Sequence, residues 1–307
     1  MTLMAGTNEI VDIAELDCIY LSYDEPQKEE FWAKISAMVP WAKRVDGVKG
    51  SDAAHKAAAA ASDTDRFILI DGDNLPYEQF FNLQLVLDDS NRHAVFRWKA
   101  MNIINGLAYG NGGISCWTKH FVEQMRTHEN TDGSDATQVE FCWNDGYWAM
   151  HDVYSTTFPN QSPYQAWRAG FREGVKMCLD RGAKPSLMEF QDRVSRGNMR
   201  NLSIWHNIGN DVEHGRWAML GARMGTVMTM LEGWDHRKVH DFEEIRAVFD
   251  DYFADLEFDY DDLEHYGVEL YKKLGMKIVP DSPEFSDFFK SFSSIRSNRG
   301  IMVRDGH

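Results

Sequence analysis

Between residues 17 and 70 the sequence alternates between short apolar runs and longer stretches with helical periodicity. "DCIYLSY" (17–23), "AKRVDGV" (42–48) and "RFILI" (66–70) read as strands, rich in aromatic and branched side chains. Between them, "PQKEEFWAKISAM" (26–38) sets Phe31, Trp32 and Ile35 on one helical face behind Pro26, a residue suited to a helix start. "GSDAAHKAAAAAS" (50–62) has the strongest helix propensity in the chain, with Ser51 or Asp52 available as cap. A β-α-β-α-β order predicts an open α/β fold with a mostly parallel sheet, whose ligands lie beyond the carboxyl ends of the strands. Two strands run out into acids there, the first at "SYDE" and the third at "DGDN".

Further strands are expected at 93–98, 112–118 and 137–143, with a Gly/Asn-rich loop at 102–113 and a polar loop at 127–137 that is suited to act as a lid. From about residue 160 the pattern turns helical. Ser162 and Pro163 open "SPYQAWRAGFREGVKMCL" as cap and first helical residue, and helices follow at roughly 213–232, 241–256 and 263–275. The tail from 293 reads as weakly ordered. This divides the chain into a catalytic domain over 1–182 and a helical region over 183–307.

The 307 residues suffice for one large domain or two smaller ones. Cys18, Cys116, Cys142 and Cys178 stand singly, which argues against a zinc site or a disulfide framework and fits a reducing cytoplasm. The first residues lack the pattern of a signal peptide, and no run approaches the ~20 apolar residues that a membrane span needs. Cytoplasmic location and no membrane partner are therefore expected. A net charge of −16 opposes broad nucleic-acid binding, but it is unevenly spread. Residues 161–205 hold eight bases and four acids, whereas 239–264 hold one Arg and eleven acids. Such asymmetry suggests one face that receives an anion and one that repels it.

Asp71-Gly72-Asp73 carries the sharpest chemical signal. Two carboxylates on one turn can hold Mg²⁺ or Mn²⁺ while phosphate oxygens and water complete the shell. The glycine allows a tight turn and close approach of a ligand. The plainer reading is a solvated Asp-rich turn, and the position at the end of the third strand favours the metal.

"IYLSYDEP", "AKRVDGVKGSDAAHKAAAAASDTDRFILIDGDN", "NIINGLAYGNGG" and "SPYQAWRAGFREGVKM", in this order, resemble the glycosyltransferases of GT-A fold. More narrowly they resemble a family carried by large tailed phages, over roughly residues 17–180. The resemblance implies a Rossmann-like GT-A sheet, a nucleotide-sugar donor (a uridine diphosphate sugar foremost), Mn²⁺ or Mg²⁺ at Asp71 and Asp73, and transfer to an acceptor hydroxyl. Some similar phage enzymes are implicated in decorating hydroxymethylated pyrimidines, so modified DNA is the acceptor it suggests. Under that reading Ser22, Tyr23 and Asp24 hold the nucleoside, Tyr23 by stacking on the base and Asp24 through a ribose hydroxyl. An ordinary strand-end turn is the alternative.

Lys49, just before the alanine helix, can meet a phosphate, as can a helix N-terminus. Gly112 and Gly113 offer backbone N–H groups at a position open to a sugar or diphosphate, or simply form a hairpin turn. Asp145 and Asp152 are candidate general bases toward the acceptor, and His151 a third metal ligand or a structural histidine. Arg168, Arg172 and Lys176, at i, i+4 and i+8, form a basic stripe for a diphosphate or acceptor phosphate, or a solvated face. Two rival functions share these features: a nucleotidyltransferase that uses the same D-x-D site, and a non-catalytic binding module on a degenerate transferase fold. Oligomeric state is left open.

Overall fold

The computed structural model describes residues 8–109, 113–125, 146–255 and 257–302, with side chains described as far as residue 292. The described residues divide into two compact units, one taking in 8–101 and the described parts of 108–158, the other 102–107 and 159 onward.

The first unit carries β1 (Glu9–Asp12), β2 (Asp17–Ser22), α1 (Lys28–Met38), β3 (Lys43–Asp46), α2 (Ser51–Ala61) and β4 (Arg66–Asp71). It continues with β5 (Asn74–Pro76), β6 (Gln84–Leu87), β7 (Val95–Asn102), β8 (Ile114–Thr118), α3 (Lys119–Gln124) and β9 (Tyr147–Thr157). Seven strands form one sheet in the order β3-β2-β4-β8-β7-β9-β5, and β1 pairs with β6 in a separate ribbon. β4 is apolar from Phe67 to Ile70, and both its faces are covered. Ile68 and Ile70 pack with Cys18, Tyr20, Phe31 and Ile35 on one side, while Phe67 and Leu69 pack with Ile19, Ala58 and Ala59 on the other. The two-residue period of a strand thus feeds two cores. The helices α1 and α2 lie on opposite faces of the sheet, so the chain leaves β2 and β3 toward different sides, the connectivity with which open α/β sheets hold ligands at their carboxyl edge.

The α/β class holds, but the sheet is mixed rather than mostly parallel. β2 runs parallel to β3 and β4, whereas β8 is antiparallel to both β4 and β7, and β5 is antiparallel to β9. Parallel neighbours need a long crossover, and α1 and α2 supply it only as far as β4. Boundaries also differ in detail. Gly50, at φ +92°, takes the N-cap of α2 in place of Ser51 or Asp52, because a left-handed backbone there favours glycine. The expected strand at 137–143 and the loop at 127–137 lie outside the described residues.

The second unit is helical: α4 (Pro163–Met177), α5 (Phe190–Arg193), α6 (Arg196–Asn207), α7 (Gly215–Val227), α8 (Phe242–Tyr252), α9 (Tyr260–Leu274) and α10 (Pro283–Met302). Ser162 caps α4, its hydroxyl accepting from the Gln165 N–H, with Pro163 behind it. Its centre is the contact of α4 with α7. A Cβ on Gly170 would lie 1.9 Å from the Ala218 carbonyl oxygen, and one on Gly221 would lie 2.1 Å from that of Trp167. The two backbones meet where only glycine fits, so dispersion acts over unusually close main chains.

Candidate functional site

β2 and β4 run side by side and end together, with Leu21 opposite Asp71. The loop that follows β2 is thereby placed beside the Asp71-Gly72-Asp73 turn. β3 ends level with them, Ser22 opposite Asp46, so Lys49 and the start of α2 follow from the same sheet edge. β8 is antiparallel, hence its beginning lies there too, and Gly113 accepts a hydrogen bond from the Asp71 N–H at 2.9 Å. One edge therefore gathers Ser22, Tyr23, Asp24, Lys49, Asp71, Asp73 and Gly113.

The turn is held from several sides. The hydroxyl of Tyr20, fully buried, donates to the Gly72 carbonyl at 2.8 Å. The Phe158 N–H donates to the Asp73 carbonyl at 2.7 Å. The Asp73 carboxylate accepts from the Thr157 hydroxyl at 3.1 Å and from the Asn74 amide at 3.2 Å. These donors are neutral, so they orient the carboxylate without cancelling its charge.

A third carboxylate belongs to the same place. A Cβ on Gly72 would stand 2.5 Å from the carboxyl carbon of Glu25, so the absence of a side chain at residue 72 lets Glu25 lie against the turn. Glu25 also accepts from the Tyr23 N–H at 2.7 Å. Gly113 has the same relation to Asn74, whose amide nitrogen would be 2.1 Å from a Cβ there.

The electrostatics follow from this crowding. Burial, reinforced by the Asp73 charge, pushes the Asp71 carboxyl up to about 7; Glu25 raises it further and the Arg97 guanidinium opposes the shift. Glu25 is raised as well, first by burial, with Asp73 and Asp24 adding repulsion. Among the described residues none of Asp71, Asp73 and Glu25 forms an ion pair. Like charges that share a site without an ion-pair partner favour a bound proton or a cation.

Among the described residues no group of three or more His, Cys, Asp or Glu side chains is arranged to hold a metal. The turn is therefore not a complete protein cage. It suits Mg²⁺ or Mn²⁺ in the manner where one or two carboxylates serve and substrate phosphates finish the shell. The buried Oδ1 of Asn74, beside Asp73, has no hydrogen-bond partner, so the turn has an unused acceptor as well as unneutralised charge.

The remaining candidates are placed as follows. The buried Ser22 hydroxyl donates to Asp46 at 2.7 Å and accepts from Arg44 at 3.2 Å, so it already links β2 to β3. Tyr23 and Asp24 are exposed, as is Lys49. His151 and Asp152 are exposed on β9, six and five residues before Thr157; at ~3.3 Å per residue the strand carries them roughly 15–20 Å from the contact with Asp73. Arg168 and Arg172 belong to the second unit. Their guanidinium groups lie 5.1 and 5.0 Å from the ring centre of Phe242, and Arg172 donates to the Val239 carbonyl. Lys176 pairs with Glu173 at 2.6 Å. Asp145 and Gly112 lie outside the described residues.

Sequence reasoning passed over Glu25, Asn74, Thr157 and Tyr20. Glu25 was visible in principle, as an acid just past the end of a strand that neighbours β4 in parallel. Asn74 follows Asp73 directly, whereas Tyr20 and Thr157 depend on pairing partners that no local pattern names.

No family model matches the chain, and no curated protein matches it. Among solved structures it is similar to HddC from Yersinia pseudotuberculosis at 14% identity and a TM-score of 0.27, over 50% of this chain and 76% of that one. What the geometry defines is a class: an α/β protein with an acidic turn at the carboxyl end of its central parallel strands. Among the described residues no helix is long and apolar enough to cross a membrane.

Proposed function

We propose that the chain is a metal-dependent glycosyltransferase that binds a nucleotide sugar, a uridine diphosphate sugar foremost, across the carboxyl ends of β2, β3 and β4. The observation that carries this reading is the convergence of Asp71, Asp73 and Glu25 on one turn with no ion-pair partner among the described residues. Tyr23 and Asp24, exposed beside that turn, supply a stacking surface and an acceptor for the nucleoside. Lys49 and the α2 N-terminus supply positive potential for the diphosphate. When bound, Mn²⁺ or Mg²⁺ would act as a Lewis acid toward the departing diphosphate. Asp71 and Asp73 would hold it, with Thr157 and Asn74 keeping the Asp73 carboxylate oriented. Asp145 is the proposed base toward the acceptor hydroxyl, which the sequence resemblance suggests is a hydroxymethylated pyrimidine in DNA.

The test is incubation with Mn²⁺ and a panel of nucleotide sugars, with and without hydroxymethylated DNA, alongside calorimetric binding of UDP. Release of nucleoside diphosphate that is lost in excess chelator and in Asp73→Asn supports the proposal. Pyrophosphate release from a nucleoside triphosphate replaces it with nucleotidyl transfer. Nucleotide binding without turnover of any donor replaces it with a binding module.

A further inference from the structure

The sheet edge that carries the acidic turn also carries two cations without a partner among the described residues. On β7, Arg97 stands opposite Ser115 of β8, and Ser115 stands opposite Leu69 of β4. Opposed residues share a face, so Arg97 lies on the face of Leu69. Two residues on in each strand, Lys99 and Asp71 lie on that face as well. Both cations are half-buried. Among the described residues neither makes a hydrogen bond or an ion pair, and the Arg97 Nε is buried with no acceptor. The Arg97 guanidinium is held over the Tyr147 ring, 5.0 Å from its centre, and that ring packs in turn on Trp117 and Phe121. Its charge opposes the rise of the Asp71 carboxyl, yet the two side chains do not join. Cations and acids that share an edge without pairing leave space for a ligand that is positive toward the turn and negative toward β7.

If the nucleotide-sugar reading above holds, on which this inference rests, the strand order gives each part of the donor its place. The nucleoside residues follow β2, the turn follows β4 beside it, and β8 and β7 come next. At ~4.8 Å per strand, β7 lies roughly 10 Å from the turn on the side away from the nucleoside. A nucleotide sugar has its parts in the same order, so with its diphosphate at the turn its sugar falls over β8 and β7. On the Arg97 face β8 opens with Gly113, and the Asn74 amide fills the place of the missing side chain. Asn74 is 1% exposed, and its Oδ1 has no partner. We propose that the sugar is acidic, its carboxylate gripped by the Arg97 fork with Lys99 beside it, while the Asn74 Oδ1 accepts one of its hydroxyls. A stacked guanidinium keeps a planar N–H edge for both oxygens of a carboxylate, and the lysine adds a point charge. A neutral sugar would cover both cations without answering their charge, which is unfavourable.

The test is titration calorimetry of the full chain, in Mn²⁺, with UDP, UDP-glucose, UDP-glucuronate, UDP-galactose and UDP-galacturonate. Each neutral and acidic pair differs only in a hydroxymethyl group replaced by a carboxylate. Wild type should bind at least one acid about ten- to a hundredfold more tightly than its neutral counterpart, the worth of a charge-assisted fork. Arg97→Gln should bring that ratio near one while UDP stays bound, and Arg97→Lys should keep only part of it. Far-UV circular dichroism checks that the variants fold, and Lys99→Gln, which should also lower the ratio, gives the readout where Arg97→Gln does not. Wild type that binds UDP but treats acid and neutral donors alike overturns the proposal and leaves the nucleotide-sugar reading standing. So does a preference that survives both glutamine variants. If Arg97→Gln weakens UDP as much as it weakens the acidic donors, the arginine holds the diphosphate and the proposal falls. Wild type that binds neither UDP nor any donor removes both readings together.

Discussion

Asparagine in place of Asp71 should make the metal-free protein more stable at neutral and alkaline pH. The folded state raises the Asp71 carboxyl from 3.8 to about 7, through burial first and the Asp73 charge second. A carboxyl raised on folding binds its proton more tightly in the native chain than in the unfolded one. Stability therefore falls as pH climbs from about 4 to about 7, and the whole difference is lost above the folded value. Three units at 1.36 kcal/mol each set an upper bound of about 4 kcal/mol. Local relaxation and water entry reduce this, so about 1–3 kcal/mol is expected at pH 8. Asparagine keeps the shape of the protonated acid and the Asp71 N–H bond to Gly113, so the two proteins should coincide near pH 4.5 and diverge above it. Calorimetry in excess chelator at steps from pH 4.5 to 8.5 separates the transitions of the two units. The first unit should melt several degrees higher in the variant at pH 8, by roughly 2–4 °C per kcal/mol for a protein of this order of size. A variant that is less stable than wild type at pH 8, or whose melting temperature declines with pH as steeply as wild type, would refute the charge-crowding argument.

Other perturbations follow from specific contacts. Gly72→Ala should displace only the end of the Glu25 side chain, leaving stability within about 1 kcal/mol while weakening Mn²⁺ binding, measured by electron paramagnetic resonance, by roughly tenfold. Tyr20→Phe removes the 2.8 Å bond to the Gly72 carbonyl and should cost about 1–2 kcal/mol in urea unfolding of the first unit. Gly221→Ala forces a Cβ to 2.1 Å from the Trp167 carbonyl oxygen, so the α4–α7 contact must open, at a cost of about 3 kcal/mol or more to the second unit. Arg172→Ala should destabilise that unit by about 1–2 kcal/mol through loss of the Phe242 and Val239 contacts, whether or not DNA binding changes.

The parallel half of the sheet was legible because its signal is local. Two strands, β2 and β3, each followed by a helix of eleven residues, and then the apolar run of β4 leave few other ways to bury both faces of β4. The same locality placed Asp71, Asp73 and the loop after β2 at one edge, since parallel strands joined by crossovers end together. The antiparallel half was not legible in this way. Whether β8 returns beside β4 or beside a later strand depends on pairings across dozens of residues. That uncertainty also hid Thr157, which reaches Asp73 because β9 pairs with β5 just beyond the turn. Glu25 was passed over for a different reason. It touches the turn only because residue 72 lacks a side chain, and a glycine in D-x-D reads equally well as a device for turning the chain.

The basic stripe on α4 and the orientation of α10 show where helical periodicity stops being informative. A period of 3.6 residues says which side chains share a face, not which face turns inward. On α4 the apolar side is buried as expected, with Trp167, Phe171 and Val175 enclosed, yet Arg168 and Arg172 are covered too, by the Phe242 ring at the start of α8. Their charge is retained while their reach is fixed by stacking, so the composition of 161–205 overstates the free positive surface. On α10 (Pro283–Met302), a helix that the sequence reading did not include, the polar side is the one turned inward. Ser286 and Lys290 turn inward because Gly209, Asp211 and the Ile103 carbonyl offer hydrogen bonds that an apolar face would leave unmade. Satisfying these buried polar groups decides the orientation of the helix, and Phe285, Phe288 and Phe292 are left outward as its consequence.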